Sequence, residues 1–231
     1  MFKVFKLKKI LAVVLILVIS GVLSFVIINP PKFVNGDNFL KYTIVLDAGH
    51  GGRDDGCSGV STGVTESELN LKVVKKLKKM LEDFGFKVVL TRENQDGLYE
   101  DNVDNYKVSD MEKRKEIIEN AKPNFVISIH HNSFSNSHQR GAQAFWQQGD
   151  DESMELAKGV QAELVKQLVD ARQEANFGDY YILKCVNVPT ILIECGYLTN
   201  AEEEALLIQD EYQNKIAYAV VCGLIRYFNE Y

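Results

Sequence analysis

Hydrophobic positions along this chain change their spacing several times, and each change marks an element. Lysines at positions 3, 6, 8 and 9 precede an uncharged, largely apolar run from Ile10 to Ile28. About 20 apolar residues cross a bilayer core as a helix, and flanking lysines hold their end on the cytoplasmic side. The run therefore predicts an uncleaved anchor of type II topology, with the rest of the chain outside the cytoplasm. A cleaved signal peptide is the alternative, but its apolar stretch is usually about 7–15 residues and ends at a small-x-small site, which is not evident here. Pro30-Pro31 and the residues to Asn38 read as a stiff linker.

From Tyr42 onward, strand-like and helix-like segments alternate. Thr43 to Asp47 is a short apolar strand ending at a glycine-rich loop. From Glu66 to Phe84 the apolar residues Leu69, Val73, Leu77, Met80, Leu81 and Phe84 share one helical face, while Lys72, Lys75, Lys76 and Lys79 fall mostly elsewhere. Thr65 and Glu68 make a capping box at its start, and Gly85 ends it. Phe86 to Thr91 supplies a second strand. After a polar loop from Glu93 to Tyr106, Ser109 and Glu112 suggest another capping box, opening a helix that stops before Pro123. Phe125 to His130 is a third strand, Gly141 to Gln147 an edge or neighbouring strand, and Ser153 to Val169 a helix. Tyr180 to Leu183 reads as a short strand and Thr190 to Glu194 as a further one. Asn200 then caps helical segments with an apolar stripe of Ile216, Val220, Leu224, Ile225 and Phe228.

This alternation predicts a single α/β domain over residues 42–231, built on a mostly parallel twisted sheet with helices on both faces. It follows a basic tail and transmembrane anchor at 1–28 and a linker at 29–41. In such sheets functional groups gather beyond the carboxyl ends of the strands. His50, His130 and Glu194 all lie at or just past strand ends.

Charge narrows the class of partner. Without the four N-terminal lysines, 22 of the 26 basic residues face 32 acidic ones, a net charge near −10. No basic stripe remains to hold a phosphate backbone, which excludes nucleic acid as the expected partner. The four cysteines, Cys57, Cys185, Cys195 and Cys222, form no C-x-x-C pair, so a thiolate metal site is not expected and buried free thiols are.

Four histidines, at 50, 130, 131 and 138, bound the chemistry. His50 sits in the run Leu46-Asp47-Ala48-Gly49-His50-Gly51-Gly52, and His130 closes the strand Phe125-Val126-Ile127-Ser128-Ile129. Two histidines at strand ends can converge on one point. A zinc ion with an open position takes three protein ligands, commonly two histidines and a carboxylate. Glu66 is the candidate third ligand, although a carboxylate in a first helical turn is also stabilised by the helix dipole. Glu68 competes with it but already has a capping role. Glu194 ends the apolar run Thr190 to Ile193, where a carboxylate is costly unless paired or functional.

The stretches LDAGHGGRDDG (46–56), TESELNLKVVKKLKKMLEDFGFKVVLTREN (65–94), MEKRKEIIENAKPNFVISIHHNS (111–133) and VPTILIECGYLTN (188–200) together carry a resemblance. The chain resembles the zinc-dependent N-acetylmuramoyl-L-alanine amidases of bacterial cell walls, in the branch opening with LDxGHGG, from Tyr42 to its end. The resemblance implies zinc as cofactor, with His50, Glu66 and His130 as ligands and Glu194 as general base. His131 stands where the family often has a small residue and is not counted as a ligand. Arg114 matches a recurrent arginine with a structural or substrate-orienting role. Ile118-Glu119 departs from the usual Ala-Asn that follows it, which bears on local helix packing. The implied reaction is hydrolysis of the amide between N-acetylmuramic acid and the L-alanine of the stem peptide in peptidoglycan.

The lean layout of anchor plus one domain resembles the germination-specific amidases of the spore cortex, which prepare muramic-δ-lactam formation. No inserted helix plugs the site, so control is expected from limited zinc occupancy or an activating protein at the envelope. The alternatives are a zinc peptidase acting within the stem peptide and a non-catalytic peptidoglycan-binding protein. A phosphate loop is excluded because no G-x-x-x-x-G-K-[ST] follows the glycines. A serine hydrolase at Ser128 or Ser133 lacks the G-x-S-x-G turn. Trp146 and Tyr181 could line a glycan groove or pack in the core and rim.

Overall fold

A computed structural model describes residues 39–230. Its six strands are β1 (Thr43–Ala48), β2 (Lys87–Leu90), β3 (Phe125–Asn132), β4 (Gln143–Trp146), β5 (Asn176–Phe177) and β6 (Thr190–Tyr197). The helices are α1 (Glu66–Asp83), α2 (Tyr106–Ala121), α3 (Asp151–Gln167), α4 (Tyr181–Lys184), α5 (Ala201–Leu207) and α6 (Asp210–Glu230). Among the described residues no helix is long and apolar enough to cross a membrane. The run Ile10–Ile28 and most of the expected linker lie outside the described residues.

The strands form one sheet in the order β2-β1-β3-β6-β4-β5. β2, β1, β3 and β6 run parallel, as the alternation of strands with helices requires. The sheet is nonetheless mixed, because β4 pairs antiparallel with β6. The link from β3 to β4, residues 133–142, contains no helix, and a parallel return needs a crossover of about a dozen residues or more, usually helical.

Period-2 alternation sorts the strand residues between two layers. Ile44, Leu46, Ile127, Ile129, Ile191 and Ile193 are fully buried, and their face of the sheet carries α1, α3 and α6. α1 buries Leu69, Val73, Val74, Leu77 and Leu81 there. Its lysines stay outward, where Lys72 pairs with Glu68 and Lys79 with Asp83. On the opposite face Val45, Val126 and Leu192 pack with Ile118 of α2 and with Ile182 and Leu183 of α4. Phe39, Phe86, Phe125 and Phe228 cluster at the amino ends of the strands.

Three local expectations change. α2 starts at Tyr106, capped by Asn105, whose Oδ1 accepts from Val108 N. Ser109 lies inside the helix and its hydroxyl accepts instead from Glu100 N, tying down the preceding loop. Residues 181–184 form one helical turn rather than a strand, since the free edge of β4 is taken by Asn176–Phe177. At α1, Thr65 caps as expected by accepting from Glu68 N, while the Glu68 side chain turns to Lys72. The four cysteines are all free.

α3 and α6 cross with almost no space between their backbones. A Cβ placed on Gly223 would lie 2.5 Å from Val160 Cα, and backbone cannot yield as a flexible side chain can. Gly223→Ala should therefore destabilise the domain by about 1–3 kcal/mol, the usual cost of overpacking, read as a lowered urea midpoint at unchanged slope.

Candidate metal centre

The sheet face that carries α2 and α4 turns from apolar to polar as its strands near their carboxyl ends. Along β3 the sequence on this face is Val126, Ser128, His130; along β6 it is Leu192, Glu194; along β1 it is Val45, Asp47. The register sets His130 beside Glu194. The GHGG loop follows β1, and α1 begins with Glu66 after a loop pinned by Glu66 N to Cys57 O and Ser67 N to Asp55 O.

These elements bring His50, Glu66 and His130 together. Glu66 Oε1 lies 3.1 Å from His50 Nε2 and 2.9 Å from His130 Nδ1. One ligand atom from each of the three falls within 4.8 Å of the others, a set that could hold a metal ion. Burial would raise the carboxyl of Glu66, but the two imidazoles outweigh it and hold it far below the ordinary range. Burial likewise opposes charge on His50, yet Glu66 and then Asp54 push its pKa up to about 9. The cluster thus attracts positive charge.

Glu66 and His50 are each fixed from behind. Glu66 Oε2 accepts from Cys57 N at 3.0 Å, and Oε1 also accepts from His131 N at 3.2 Å. The outer nitrogen of His50, Nδ1, pairs with Asp54 Oδ2 at 2.8 Å, and Asp54 in turn pairs with Lys107. A carboxylate on the far ring nitrogen sets the tautomer and orientation of a ligating histidine. His50 itself has φ 62, a left-handed backbone that costs a non-glycine residue about 1–3 kcal/mol unless its surroundings impose it. Gly49 must lack a side chain because its Cβ would lie 2.2 Å from the His130 ring.

Glu194 stands beside this trio with its Oε2 buried and unpartnered among the described residues. Burial pushes its carboxyl up to about 7, with His130 opposing and Glu66 reinforcing the rise. A cleft of about 300 Å³ opens in front, lined by His50, Tyr99, Tyr106, His130, Tyr180 and Tyr181 among others. Tyr181 is thus a rim residue, whereas Trp146 is not part of this cleft.

A family described as N-acetylmuramoyl-L-alanine amidase matches residues 44–226. The chain belongs to the N-acetylmuramoyl-L-alanine amidase family. The amidase is 31% identical over 210 residues to the germination-specific N-acetylmuramoyl-L-alanine amidase of Bacillus subtilis, covering 86% of this chain and 88% of that one. It is 32% identical to the probable cell wall amidase LytH of Staphylococcus saprophyticus, over 88% of this chain but 64% of that longer one. Among solved structures it matches the CwlD amidase from Clostridioides difficile, determined in complex with the GerS lipoprotein, at TM-score 0.79 and 37% identity. That match covers 83% of this chain and all of the other. The catalytic domain of CwlV, an amidase from Bacillus (Paenibacillus) polymyxa, matches at TM-score 0.72 and 28% identity, over 81% of this chain and 98% of that one. The fold and the hydrolase class expected from the sequence are therefore those of a peptidoglycan amidase.

In the amidase Arg114 is 1% exposed, and each guanidinium nitrogen already has a partner. Nε donates to Asp110 at 2.5 Å, Nη1 to Asp47 and Ala48 O, and Nη2 to His50 O at 2.6 Å. Of its two expected roles, this geometry favours the structural one. Ser128 is likewise committed, donating to Asp47 Oδ2 at 2.6 Å, which leaves it unsuited to nucleophilic attack. Sequence reasoning passed over Asp54 and Asn70. Asp54 carried a signal as a carboxylate four residues beyond His50. Asn70 carried one as a polar residue on the apolar stripe of α1, one turn after Glu66.

Two predictions follow from these contacts. Gly49→Ala should displace the His130 ring and lower metal occupancy while the fold survives, read by metal content after dialysis together with circular dichroism. The second concerns Asp47. Burial alone would raise its carboxyl, but Arg114, Ser128 and Thr91 hold its pKa down at about 2, below its ordinary value of about 3.9. The stabilisation from this lowered pKa is complete above the ordinary value and lost as pH falls through about 2. Asp47→Asn should remove that acid limb and lower stability at neutral pH by about 3–5 kcal/mol, the cost of unpairing a buried charge, measured as urea midpoints across pH.

Proposed function

We propose that the chain is a zinc-dependent amidase of bacterial peptidoglycan, with His50, Glu66 and His130 holding the metal and Glu194 as general base. The observation that carries this reading is the convergence of two imidazoles and one carboxylate beside a second buried carboxylate, Glu194, whose Oε2 has no hydrogen-bond partner among the described residues. The donor set fits zinc. Ligand atoms on a tetrahedral zinc stand roughly 3.3 Å apart, given bonds of about 2.0–2.1 Å, close to the 2.9 and 3.1 Å separations from Glu66 Oε1.

Zinc bound by these residues supplies Lewis acidity, which makes water more acidic and a carbonyl more electrophilic at neutral pH. Glu194 takes the proton of water as it attacks the lactyl carbonyl of N-acetylmuramic acid, then delivers that proton to the departing amine of L-alanine. Asp54 keeps the His50 ring turned toward Glu66, and the tyrosines of the cleft shield the reacting amide from bulk water.

The same reading extends to setting. Similarity to a germination-specific amidase supports a role in spore-cortex maturation. The solved CwlD complex with a lipoprotein supports an activating envelope partner of the same kind. The lysine-flanked apolar run Ile10–Ile28 supports a single-pass membrane protein with an extracytoplasmic catalytic domain.

Mass spectrometry of products from purified peptidoglycan tests the reaction. Intact stem peptides beginning with L-alanine are expected, disappearing with a chelator; cleavage within the stem peptide would instead establish the peptidase alternative. Glu194→Ala should keep zinc yet slow peptide release by about 10²–10⁴-fold, the usual contribution of general acid–base catalysis. Retained turnover in that variant would remove Glu194 from the role.

A further inference from the structure

Three consecutive carbonyls, those of Ala48 at the end of β1 and of Gly49 and His50 in the loop after it, accept hydrogen bonds from two guanidiniums. Arg114 donates to Ala48 O at 2.8 Å and His50 O at 2.6 Å. Arg92, which follows β2 and is 3% exposed, donates to Ala48 O at 2.9 Å and Gly49 O at 3.0 Å. Arg92 also reaches Ser67 O at 2.8 Å and Asn94 O at 2.8 Å, so it joins the GHGG loop to the first turn of α1, one residue from Glu66. The Asn70 amide adds a donor to Gly49 O at 3.0 Å. Asp47 and Asp110 sit beside Arg114, so the two buried cations are matched by two buried carboxylates.

We propose that Arg92 and Arg114 are positioning residues for the metal cluster, together fixing the left-handed turn that aims His50 at Glu66. The inference rests on the reading of His50, Glu66 and His130 as a zinc site. A left-handed His50 needs its carbonyl held, and an imidazole aimed at an ion needs a backbone that does not swing. A planar five-donor guanidinium can hold several carbonyls at once, whereas a lysine ammonium acts as a point charge. Arg92 hydrogen-bonds none of the three ligand side chains and does not line the cleft; its hydrogen bonds all go to backbone carbonyls.

The test compares Arg92→Lys and Arg92→Met in the full chain, using zinc affinity by chelator competition and the visible absorption of the cobalt-loaded protein. Arg92→Lys keeps the buried charge and so separates charge balance from carbonyl clamping. It should weaken zinc about 10-fold and change the cobalt spectrum, while the metal-free protein melts close to the parent. Arg92→Met should weaken zinc up to about 100-fold, within the range seen when outer contacts of metal ligands are removed. If Arg92→Met fails to fold, Arg92→Lys alone decides. Parental zinc affinity and cobalt spectrum in Arg92→Lys would overturn the positioning role while leaving the zinc site intact. Failure of the parent chain itself to bind zinc would instead overturn the metal reading, and this inference with it.

Discussion

At the carboxyl ends of the strands, two guanidiniums and two carboxylates lie under a single loop, and the geometry above depends on that buried charge set. Asp47 is the pivot. It accepts from Arg114 on one oxygen and from Ser128 on the other, with Thr91 completing the shell. Three parallel strands and a helix are thereby tied together: β1 through Asp47, β2 through Thr91 just past its end, β3 through Ser128 and α2 through Arg114. A buried pair of this kind is weak support for stability on its own, because desolvation offsets much of the attraction. Its value here is directional, since a guanidinium satisfied only in one geometry fixes where the following loop runs.

The positions of His130 and Glu194 then follow from strand parity. Residues two apart on a strand share a face, so a sheet that is apolar at Val126 and Leu192 arrives two residues later at Ser128 and Glu194, and at His130 after two more. The same face of β1 arrives at Asp47, and the chain then leaves the sheet into the glycine loop. Polar groups collect where the strands end because that is where helix cover thins and a cleft opens. One layer of the sheet is core at one end and chemistry at the other.

Much of this was legible in the sequence because it depends on period and punctuation. The apolar runs at Thr43, Phe125 and Thr190, the stripe on α1 and the Thr65 cap each act locally. The trio of His50, Glu66 and His130 was legible for the same reason, as residues at the ends of recognisable elements. What escaped depends on partners distant in sequence. Arg92 looks like an ordinary basic residue after a strand, and nothing near it signals that the carbonyls of Ala48, Gly49 and Ser67 await it. The start of α2 was misread because Ser109 and Asn105 are both competent caps, and the contact of Ser109 with Glu100 decides between them. The reversed direction of β4 and the helical turn at Tyr181–Lys184 were set by an unhelical link and an occupied sheet edge, neither of which a hydrophobic pattern records.

Parity also explains why a fourth potential ligand stays out. His131 follows His130 and therefore points to the other face, toward α1, where its Nδ1 meets Asn70 Oδ1 at 2.7 Å. Because the Asn70 amide nitrogen already donates to Gly49 O, its oxygen must be the acceptor, so the His131 proton sits on Nδ1. Burial lowers the pKa of this imidazole to about 4, keeping it neutral beside a cluster that gathers positive charge. Cys57 is engaged elsewhere: its Sγ lies 3.6 Å from the carbonyl oxygens of His131 and Asn132, and burial and the neighbouring Glu66 carboxylate push its thiol up to about 12. Its backbone N–H is used instead, on Glu66 Oε2. Among the described residues the candidate metal-binding set is therefore the three donors His50, Glu66 and His130. Three is the number that leaves a metal with a position open for chemistry.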